Sequence, residues 1–293
     1  MGKRFILQFI AAVLCLSACV SCSTRKTGTQ TESTVRIVSL APSVTHTLQQ
    51  MGMDAAVVGR TSYCPAPLPG NTSEVIGNVL EVNIEEILLL QPDIVFCMAF
   101  TKEETMRKLA SLGVKVKDFS TPESFDEICA QTLEIGSLVG EEERAKAWVE
   151  EERSKVAEVC RMVSGKQVSR TDSAALPSKT FFQIGNNPVF PVIEHTYMNE
   201  YMRMLGLENV VKDYKGGGLS RETVLALQPE IMFVSRMSGE GEKVLEEWKK
   251  YPSVPAVAAG RLLLVDDTKA CCPTPLFFRE TLQTLADYLD SLQ

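Results

Sequence analysis

Apolar side chains between residues 141 and 163 recur at intervals of three, four and seven positions, and charged side chains fill the positions between them. This spacing is typical of an amphipathic helix, and neither proline nor glycine interrupts it. At about 1.5 Å per residue the helix would be roughly 34 Å long, more than the usual length in globular proteins. The pattern predicts a buried stripe of Ala145, Trp148, Val149, Val156, Val159, Cys160 and Val163.

Short apolar runs alternate with helical patterns on both sides of this long helix. Strands are predicted before it at VRIVSLAP, AAVVG, DIVFC and VKVKDF, and after it at TFFQIG, NVV, IMFVS and RLLLVDD. Strands that alternate with helices form mainly parallel sheets covered by helices on both faces. Ligands of such sheets bind outside the carboxyl ends of the strands. The expected fold is therefore α/β, with two Rossmann-like lobes, one connecting helix and a ligand cleft between the lobes.

The two halves of the chain also resemble each other in sequence. The segments Leu90–Ile94 (LQPDI) and Leu227–Ile231 (LQPEI) match at every position except one Asp-to-Glu exchange, and the same shift carries Glu85 onto Glu222. Self-similarity of this kind indicates repeated structural units. We therefore expect an N-terminal lobe over residues 35–140, a connecting helix over 141–163 and a C-terminal lobe over 164–293.

The N-terminus carries a targeting pattern. Lys3 and Arg4 precede an apolar run from Phe5 to Leu16, and small residues follow it. A charged start, a short apolar core and small residues are typical of a secretory signal peptide, here predicted over residues 1–18. The serine- and threonine-rich residues 19–34 are expected to form a flexible tether.

The end of this signal resembles the lipobox of bacterial lipoproteins. The sequence Leu16–Cys19 (LSAC) implies cleavage before Cys19 and attachment of diacylglycerol to its sulfur. Cys22 is the alternative lipidation site, and an ordinary signal peptide is the alternative to a lipoprotein signal. The prediction is a protein anchored by lipid to a membrane of the cell envelope.

Composition narrows the range of functions. A net charge of −7 and a pI near 5.1, without a basic patch that carries aromatic residues, argue against nucleic-acid binding. The sequence has no P-loop, no GxSxG and no dinucleotide fingerprint, so enzymatic activity is not expected. The glycine run Gly216–Gly218 before a helix could cradle a phosphate, which is weak evidence for an alternative enzyme function.

Two residue types could hold a metal. His46 and His195 are the only histidines, so a three-histidine site for bare zinc or manganese is impossible, and no metal site of the protein's own is predicted. Cys64, Cys271 and Cys272 follow predicted strand ends and are expected near the cleft. They could form a disulfide across the cleft or bind the metal of a cargo; unpaired thiols or a local disulfide are the alternatives. The core is the expected place of Cys97, Cys129 and Cys160.

Six segments resemble, in order, the solute-binding proteins of ABC importers that have a helical backbone, and they look closest to the vitamin B12-binding branch: RIVSLAPS, VVGRTSY, NIEEILLLQPDIV, SLGVKV, FFQIGNNPVF and LSRETVLALQPEI. Receptors for ferric siderophores and haem belong to the same family. The resemblance implies two lobes, a rigid connecting helix, small closure motions and no catalysis. It also implies a partner, an ABC permease dimer with its ATPase.

The resemblance assigns docking roles to two glutamates. In the family, a glutamate near the start of each equivalent helix meets arginines of the permease subunits, which implies this role for Glu85 and Glu222. A pseudo-two-fold protein on a two-fold permease needs equivalent acidic points. The alternative is that each glutamate only favours the dipole of its own helix, and Glu86 competes with Glu85 for the docking role.

The cargo and its contacts complete the expectations. Tyr63 stands where the B12 branch has a cleft tyrosine, whereas Val79–Leu80, Ala99 and the glycine run replace tryptophans of that branch. Other candidates, from loops at strand ends, are Phe100, Asn187, Phe190, Gly217 and the cysteines Cys64, Cys271 and Cys272. The expected cargo is a corrinoid or a related metal chelate. A ferric siderophore or haem, or an envelope lipoprotein without a small ligand, are the alternatives.

Overall fold

The computed structural model describes residues 35–78, 80–168, 178–235 and 240–292. The predicted signal peptide, Cys19 and the tether lie outside the described residues, as does Val79. Within the described part, no helix combines the length and apolar character that crossing a membrane requires.

The N-terminal lobe is built on a parallel sheet of five strands in the order β3-β2-β1-β4-β5. Side chains of neighbouring positions alternate between two buried clusters, so that Ile37 and Phe96 lie on one face and Val38 and Val95 on the other. Burial on both faces explains the continuous apolar runs of this half of the sequence. The strands are Ile37–Ser39 (β1), Val57–Arg60 (β2), Glu74–Val75 (β3), Ile94–Met98 (β4) and Val116–Phe119 (β5).

Helices cover this sheet, and two of them begin at a capping side chain. Asn83 caps the second helix by accepting from the backbone N–H of Glu85 and Glu86, and Ser124 caps the fourth by accepting from that of Glu127. Gly140, in the left-handed conformation, ends the fourth helix. The helices are Pro42–Gln50 (α1), Ile84–Leu89 (α2), Glu103–Ser111 (α3) and Phe125–Val139 (α4), with a 3₁₀ turn at Asp54–Ala56.

The C-terminal lobe has a mixed sheet in the order β10-β9-β6-β7, in which β8 also pairs with β6. Strands β8, β9 and β10 run parallel to their neighbours, and β7 is antiparallel. The prediction of two mainly parallel sheets is thereby confirmed. The strands are Lys179–Gly185 (β6), Phe190–Pro191 (β7), Glu208–Asn209 (β8), Ile231–Ser235 (β9) and Leu262–Val265 (β10).

The C-terminal lobe contains a short helix directly after β10. Asp266 accepts a hydrogen bond from the backbone N–H of Lys269 and starts this helix, which ends at Cys271. The helices are Tyr197–Met204 (α6), Arg221–Leu227 (α7), Gly241–Trp248 (α8), Pro255–Ala258 (α9), Asp267–Cys271 (α10) and Pro275–Ser291 (α11).

The long helix, α5, extends over Glu142–Val168 and packs on both lobes. Ala145 and Trp148 contact the cluster of the N-terminal lobe, whereas Val149, Val156 and Val159 belong to that of the C-terminal lobe. The predicted apolar stripe therefore faces the two cores, with Trp148, Cys160 and Val163 half-buried and its other members buried. The helix is longer than the predicted range of 141–163, because α5 continues to Val168.

The helix before α5 also contributes to both lobes. Phe125, at the start of α4, stacks on Phe278 of α11 at 4.6 Å between ring centroids. The carboxylate of Glu200, on α6, accepts a hydrogen bond from the backbone N–H of Phe125. This carboxylate satisfies one of the free N–H groups at the start of α4, so the lobes share a core as well as a connecting helix.

The repeated Leu-Gln-Pro segments have one structural role in both lobes. Gln91 and Gln228 adopt the left-handed conformation, with φ of 47° and 49°, and turn the chain from a helix into a strand. The acid two positions later binds the start of the neighbouring strand. Asp93 accepts from the backbone N–H of Arg36 at 2.7 Å, and Glu230 accepts from those of Ser178 and Lys179 at 2.8 and 3.1 Å.

Candidate functional site

The carboxyl ends of the N-terminal strands meet at one edge of the sheet. Ser39, the last residue of β1, is bonded to Thr45 of α1 at 2.9 Å between hydroxyl oxygens, which fixes the start of that helix. After β4, a turn closed by the Thr101 N–H and the Met98 carbonyl at 2.7 Å leaves Phe100 64% exposed. After β5, the side-chain amide of Gln131 donates a hydrogen bond to the Ser120 carbonyl, with 2.8 Å between nitrogen and oxygen.

A cavity of about 230 Å³ opens at this edge and is lined by residues of both lobes. Its position at the carboxyl ends of parallel strands is where this class of sheet binds ligands. Every described residue that lines it is uncharged at neutral pH. The lining residues are Pro42, Ser43, Met98, Ala99, Phe100, Phe119, Ser120, Thr121, Pro122, Gln131, Tyr197, Met198, Cys271, Cys272 and Pro273.

The C-terminal wall of the cavity is held by contacts inside that lobe. The Tyr197 hydroxyl donates to the carbonyl of Ala270 at 3.2 Å and so ties α6 to α10. Burial raises the pKa of Tyr197 well above its ordinary value, so this phenol remains protonated. Beside the cavity, His46 of α1 meets Phe277 of α11 edge to face at 4.9 Å between centroids, and burial lowers the pKa of the imidazole.

The three cysteines near the cleft are free thiols, so the hypothesis of a disulfide across it is wrong. The Cys64 sulfur lies 3.2 Å from the Thr61 hydroxyl and 3.5 Å from the Ser39 carbonyl, and its side chain is buried and does not line the cavity. Burial raises the pKa of Cys271 to about 11 and that of Cys272 to about 12. Among the described residues, no group of three or more His, Cys, Asp or Glu side chains is arranged to hold a metal ion.

The structure brings together three of the predicted cleft residues, since Phe100, Cys271 and Cys272 all line the cavity. Tyr63 follows β2 at the same edge and is 68% exposed, but does not line the cavity. The others lie elsewhere. Asn187 lines two separate cavities of the C-terminal lobe, of about 190 and 510 Å³.

Phe190 and Gly218, the last residue of the glycine run, pack against other residues of the C-terminal lobe. Phe190 lies against Gly185, where a Cβ would come within 2.9 Å of its ring. At Gly218 a Cβ would meet the Pro188 ring at 2.1 Å, so glycine is required by close packing at this point. Gly217, the predicted ligand contact, lies on the exposed loop beside it, with a φ of 93°.

The two glutamates expected to dock a partner occupy equivalent positions. Glu85 is the second residue of α2, after its Asn83 cap, and Glu222 is the second residue of α7, after its Ser220 cap. Both side chains are exposed. Hydrogen bonds from its own backbone N–H and from Ser220 lower the pKa of Glu222, which keeps it ionised.

Sequence reasoning did not single out several cavity residues. Ser120, Thr121 and Pro122 follow a correctly predicted strand and could have been found by the strand-end argument. Gln131, Tyr197 and Met198 lie on helices, and no sequence signal shows which face of a helix meets a cleft. These three depend on the packing of the lobes.

Residues 37–268 match the periplasmic binding protein family, and the chain belongs to it. It is a substrate-binding protein rather than an enzyme. A vitamin B12-binding protein of Yersinia pestis is 26% identical over 226 residues, which are 76% of this chain and 77% of the relative.

Solved structures show the same two-lobe fold. A periplasmic vitamin B12-binding protein of Vibrio cholerae has a TM-score of 0.73 at 22% identity, covering 88% of this chain and 97% of that one. A periplasmic heme-binding protein of Roseiflexus has a TM-score of 0.75 at 22% identity, covering 89% and 100%. A possible iron-binding protein of Staphylococcus epidermidis has a TM-score of 0.72 at 24% identity, covering 87% and 98%.

Proposed function

We propose that this protein captures a corrinoid in the cleft between its lobes and delivers it to an ABC importer of the cell envelope. The observation that carries the choice of cargo is the uncharged lining of the interlobe cavity. The vitamin B12-binding relative, which aligns over 76% of the chain, supports the same choice.

Charge separates the candidate cargoes. Haem carries two carboxylates, and many ferric siderophore complexes are anionic, so their binding sites need cations that pair with these groups. A corrin ring is fringed with neutral amides instead. Neutral donors and acceptors such as Ser43, Ser120 and Gln131, set among apolar side chains, suit amides and a flat hydrophobic ring.

The cavity holds only part of such a ligand. Its volume, about 230 Å³, is below the range of roughly 300–1,000 Å³ that is usual for ligand pockets. The remainder of the ring would lie on the exposed aromatic surface of Tyr63 and Phe100. Aromatic side chains contribute about 0.5–1.5 kcal/mol from ring stacking in addition to the area they bury.

Docking is assigned to Glu85 and Glu222. Their equivalent positions on α2 and α7 give each lobe one exposed acid in a first helical turn. Such a pair matches a two-fold partner with arginine at both contact points. The lipobox-like Leu16–Cys19 supports attachment of this receptor to a membrane by lipid on Cys19.

Calorimetric titration of the full chain, purified in detergent, tests the cargo. We expect one-to-one binding of cyanocobalamin with a Kd near 1 μM or tighter, that is, at least about 8 kcal/mol. Haem and an anionic ferric siderophore should bind at least tenfold more weakly. Tighter binding of either anion would contradict the argument from charge and would indicate haem or a ferric siderophore as the cargo.

Two phenylalanine variants test the place of binding. Phe100→Ala should weaken cobalamin binding roughly tenfold, since it removes an aromatic surface at the cavity. Phe190→Ala is the matched control, because Phe190 is also partly exposed but packs against Gly185. Equal losses in the two variants would show that the cargo does not lie where we place it.

Charge reversal tests docking. Glu222→Arg should reduce uptake of labelled cobalamin by cells while cobalamin affinity stays unchanged. Glu104→Arg, an exposed first-turn acid of α3, is the control and should leave uptake intact. Normal uptake with Glu222→Arg and with Glu85→Arg would remove the docking role from both glutamates.

A further inference from the structure

The larger of the two cavities that Asn187 lines, about 510 Å³, lies in the C-terminal lobe and shares no lining residue with the interlobe cavity. It is formed by the loop that follows β6, the residues that lead into α7 and the end of α8, and we call it the α7–α8 groove. Its volume is within the range of roughly 300–1,000 Å³ that is usual for ligand pockets. The lining includes Asn187, Val189, Leu219, Arg221, Glu222 and Glu247.

The floor of the α7–α8 groove is apolar, and the backbone holds it in place. Val189 and Leu219 are buried, and the N–H of Leu219 donates to the carbonyl of Val189 at 2.8 Å. This bridge joins two of the segments that form the groove. Beside it, Pro188 packs so closely on Gly218 that no side chain would fit there. The groove is therefore a preformed part of the lobe.

One carboxylate of the groove has no cation to balance it. Arg221 forms an ion pair with Glu247, and its Nη2 also donates to the amide oxygen of Asn186 at 3.2 Å. The guanidinium of Arg221 lies 5.9 Å from the centre of the Trp248 ring. These contacts fix Arg221 and neutralise Glu247. Glu222 is exposed and forms no ion pair with any residue that the structure describes, so one arginine against two glutamates leaves the groove with a net negative charge.

Asn187 adds a second free acceptor to the groove. Its side chain is exposed and makes no hydrogen bond within the described part of the chain. Tyr251, which follows α8, adds an aromatic ring to the lining. A free carboxylate, a free amide oxygen and an aromatic ring together suit a guanidinium group, because its planar fork donates several hydrogen bonds and stacks on aromatic rings. A compact ammonium group would use fewer of these partners.

We propose that the α7–α8 groove receives one arginine side chain of the permease, which inserts between Glu222 and Asn187. This inference rests on the proposed docking role of Glu222 and goes beyond it in two respects. Docking at the C-terminal lobe takes place inside a preformed groove and not at a single exposed acid, and Asn187 belongs to the docking surface and not to the cargo site. The permease is the occupant because the one unbalanced charge of the groove, Glu222, is the docking acid of this lobe.

Uptake of labelled cyanocobalamin tests the groove, in cells whose own copy of the receptor is deleted and which express the wild type or a variant. Asn187→Arg places a cation in the groove beside Glu222, so uptake should fall about tenfold. The Kd for cyanocobalamin, measured by calorimetry on the full chain in detergent, should stay within about threefold of the wild type, which also shows that the variant is folded. Thr284→Arg, the same charge added at an exposed position of α11 outside the groove, is the control and should leave uptake unchanged.

A transfer of the acid across the groove tests insertion. Glu222→Gln should lower uptake about tenfold, because it removes the free carboxylate. Asn187→Glu/Glu222→Gln returns a carboxylate to the groove from the other segment, and uptake should recover to within about threefold of the wild type. A double variant that takes up no more cobalamin than Glu222→Gln would overturn the insertion, since a contact on an open surface cannot be replaced from a different segment.

Failure of this inference can be distinguished from failure of the proposed function. Normal uptake with Asn187→Arg, together with reduced uptake with Glu222→Arg, would refute the groove and leave the docking glutamate intact. A Kd for cyanocobalamin that Asn187→Arg raises about tenfold would return Asn187 to the cargo site and overturn its assignment to docking. Normal uptake with Glu222→Arg, or no cobalamin uptake with the wild type, would refute the proposed function and the groove together.

Discussion

The ion pair between α5 and α11 gives a sharp test of how the connecting helix is held. Glu152 of α5 has a side chain only 3% exposed, and its Oε2 lies 2.6 Å from Nε of Arg279, which is 21% exposed. Lys155 reaches the other carboxylate oxygen at 3.2 Å. Removal of Arg279 would leave a buried carboxylate with one partially exposed cation, which is the costly case for a buried pair.

Arg279→Met should lower the free energy of unfolding by about 3 kcal/mol, the lower end of the range for breaking a buried pair, because Lys155 remains. For a chain of this size the corresponding fall in Tm is about 6–12 °C. Urea denaturation followed by circular dichroism measures the free energy, and an unchanged m-value would show that the loss lies in stability itself.

Three further variants complete the test. In Glu152→Gln/Arg279→Met, the buried charge is absent, so much of the stability should return. Together with the single variant Glu152→Gln, the double-mutant cycle gives a coupling energy of about 1–3 kcal/mol. Lys146→Met on the same helix is the control, since Lys146 pairs with Glu142 and Glu143 in exposed positions and its loss should leave the free energy of unfolding nearly unchanged. If Arg279→Met costs no more than this control, the reasoning from burial is refuted.

Three other predictions follow from local contacts. Glu230→Gln should cost up to about 1 kcal/mol near pH 7, because two backbone N–H groups lower the pKa of this partly exposed carboxylate. The contribution of Glu230 to the free energy of unfolding is complete at pH values above the ordinary glutamate pKa and is lost as pH falls through the lowered pKa. Urea denaturation in acid should therefore give similar free energies of unfolding for the wild type and Glu230→Gln. A difference that stays constant with pH would be evidence against this origin. Gly218→Ala should lower the Tm by several degrees through its clash with Pro188, whereas Gly113→Ala, with no atom within 4 Å, isolates the cost of positive φ alone. Cys97, whose pKa burial raises to about 12, should react with a thiol reagent only on unfolding, and fast labelling of the native protein would contradict its core position.

Sequence periodicity alone determined the long helix, the alternation of strands and helices, and the division into two similar halves. Those patterns are reliable because burial repeats every two residues in a strand and about every 3.6 in a helix. The repeat of Leu-Gln-Pro indicated repeated structural units, and the structure explains the repeat by the left-handed turn at Gln91 and Gln228. The family resemblance depended on the same segments.

Tertiary structure alone decided which strand-end residues form a single cavity. The same argument, a loop at a strand end, predicted Phe100 and Asn187 as ligand contacts. In the structure Phe100 shares a cavity with Cys272, whereas Asn187 lines other cavities of its own lobe. Helical residues such as Gln131 and Met198 enter the site only because α4 and α6 meet between the lobes. The sequence pattern indicates whether a side chain is buried. It does not indicate which distant segment of the chain the side chain contacts, because that depends on long-range packing. The ligand site is formed by contacts of this long-range kind.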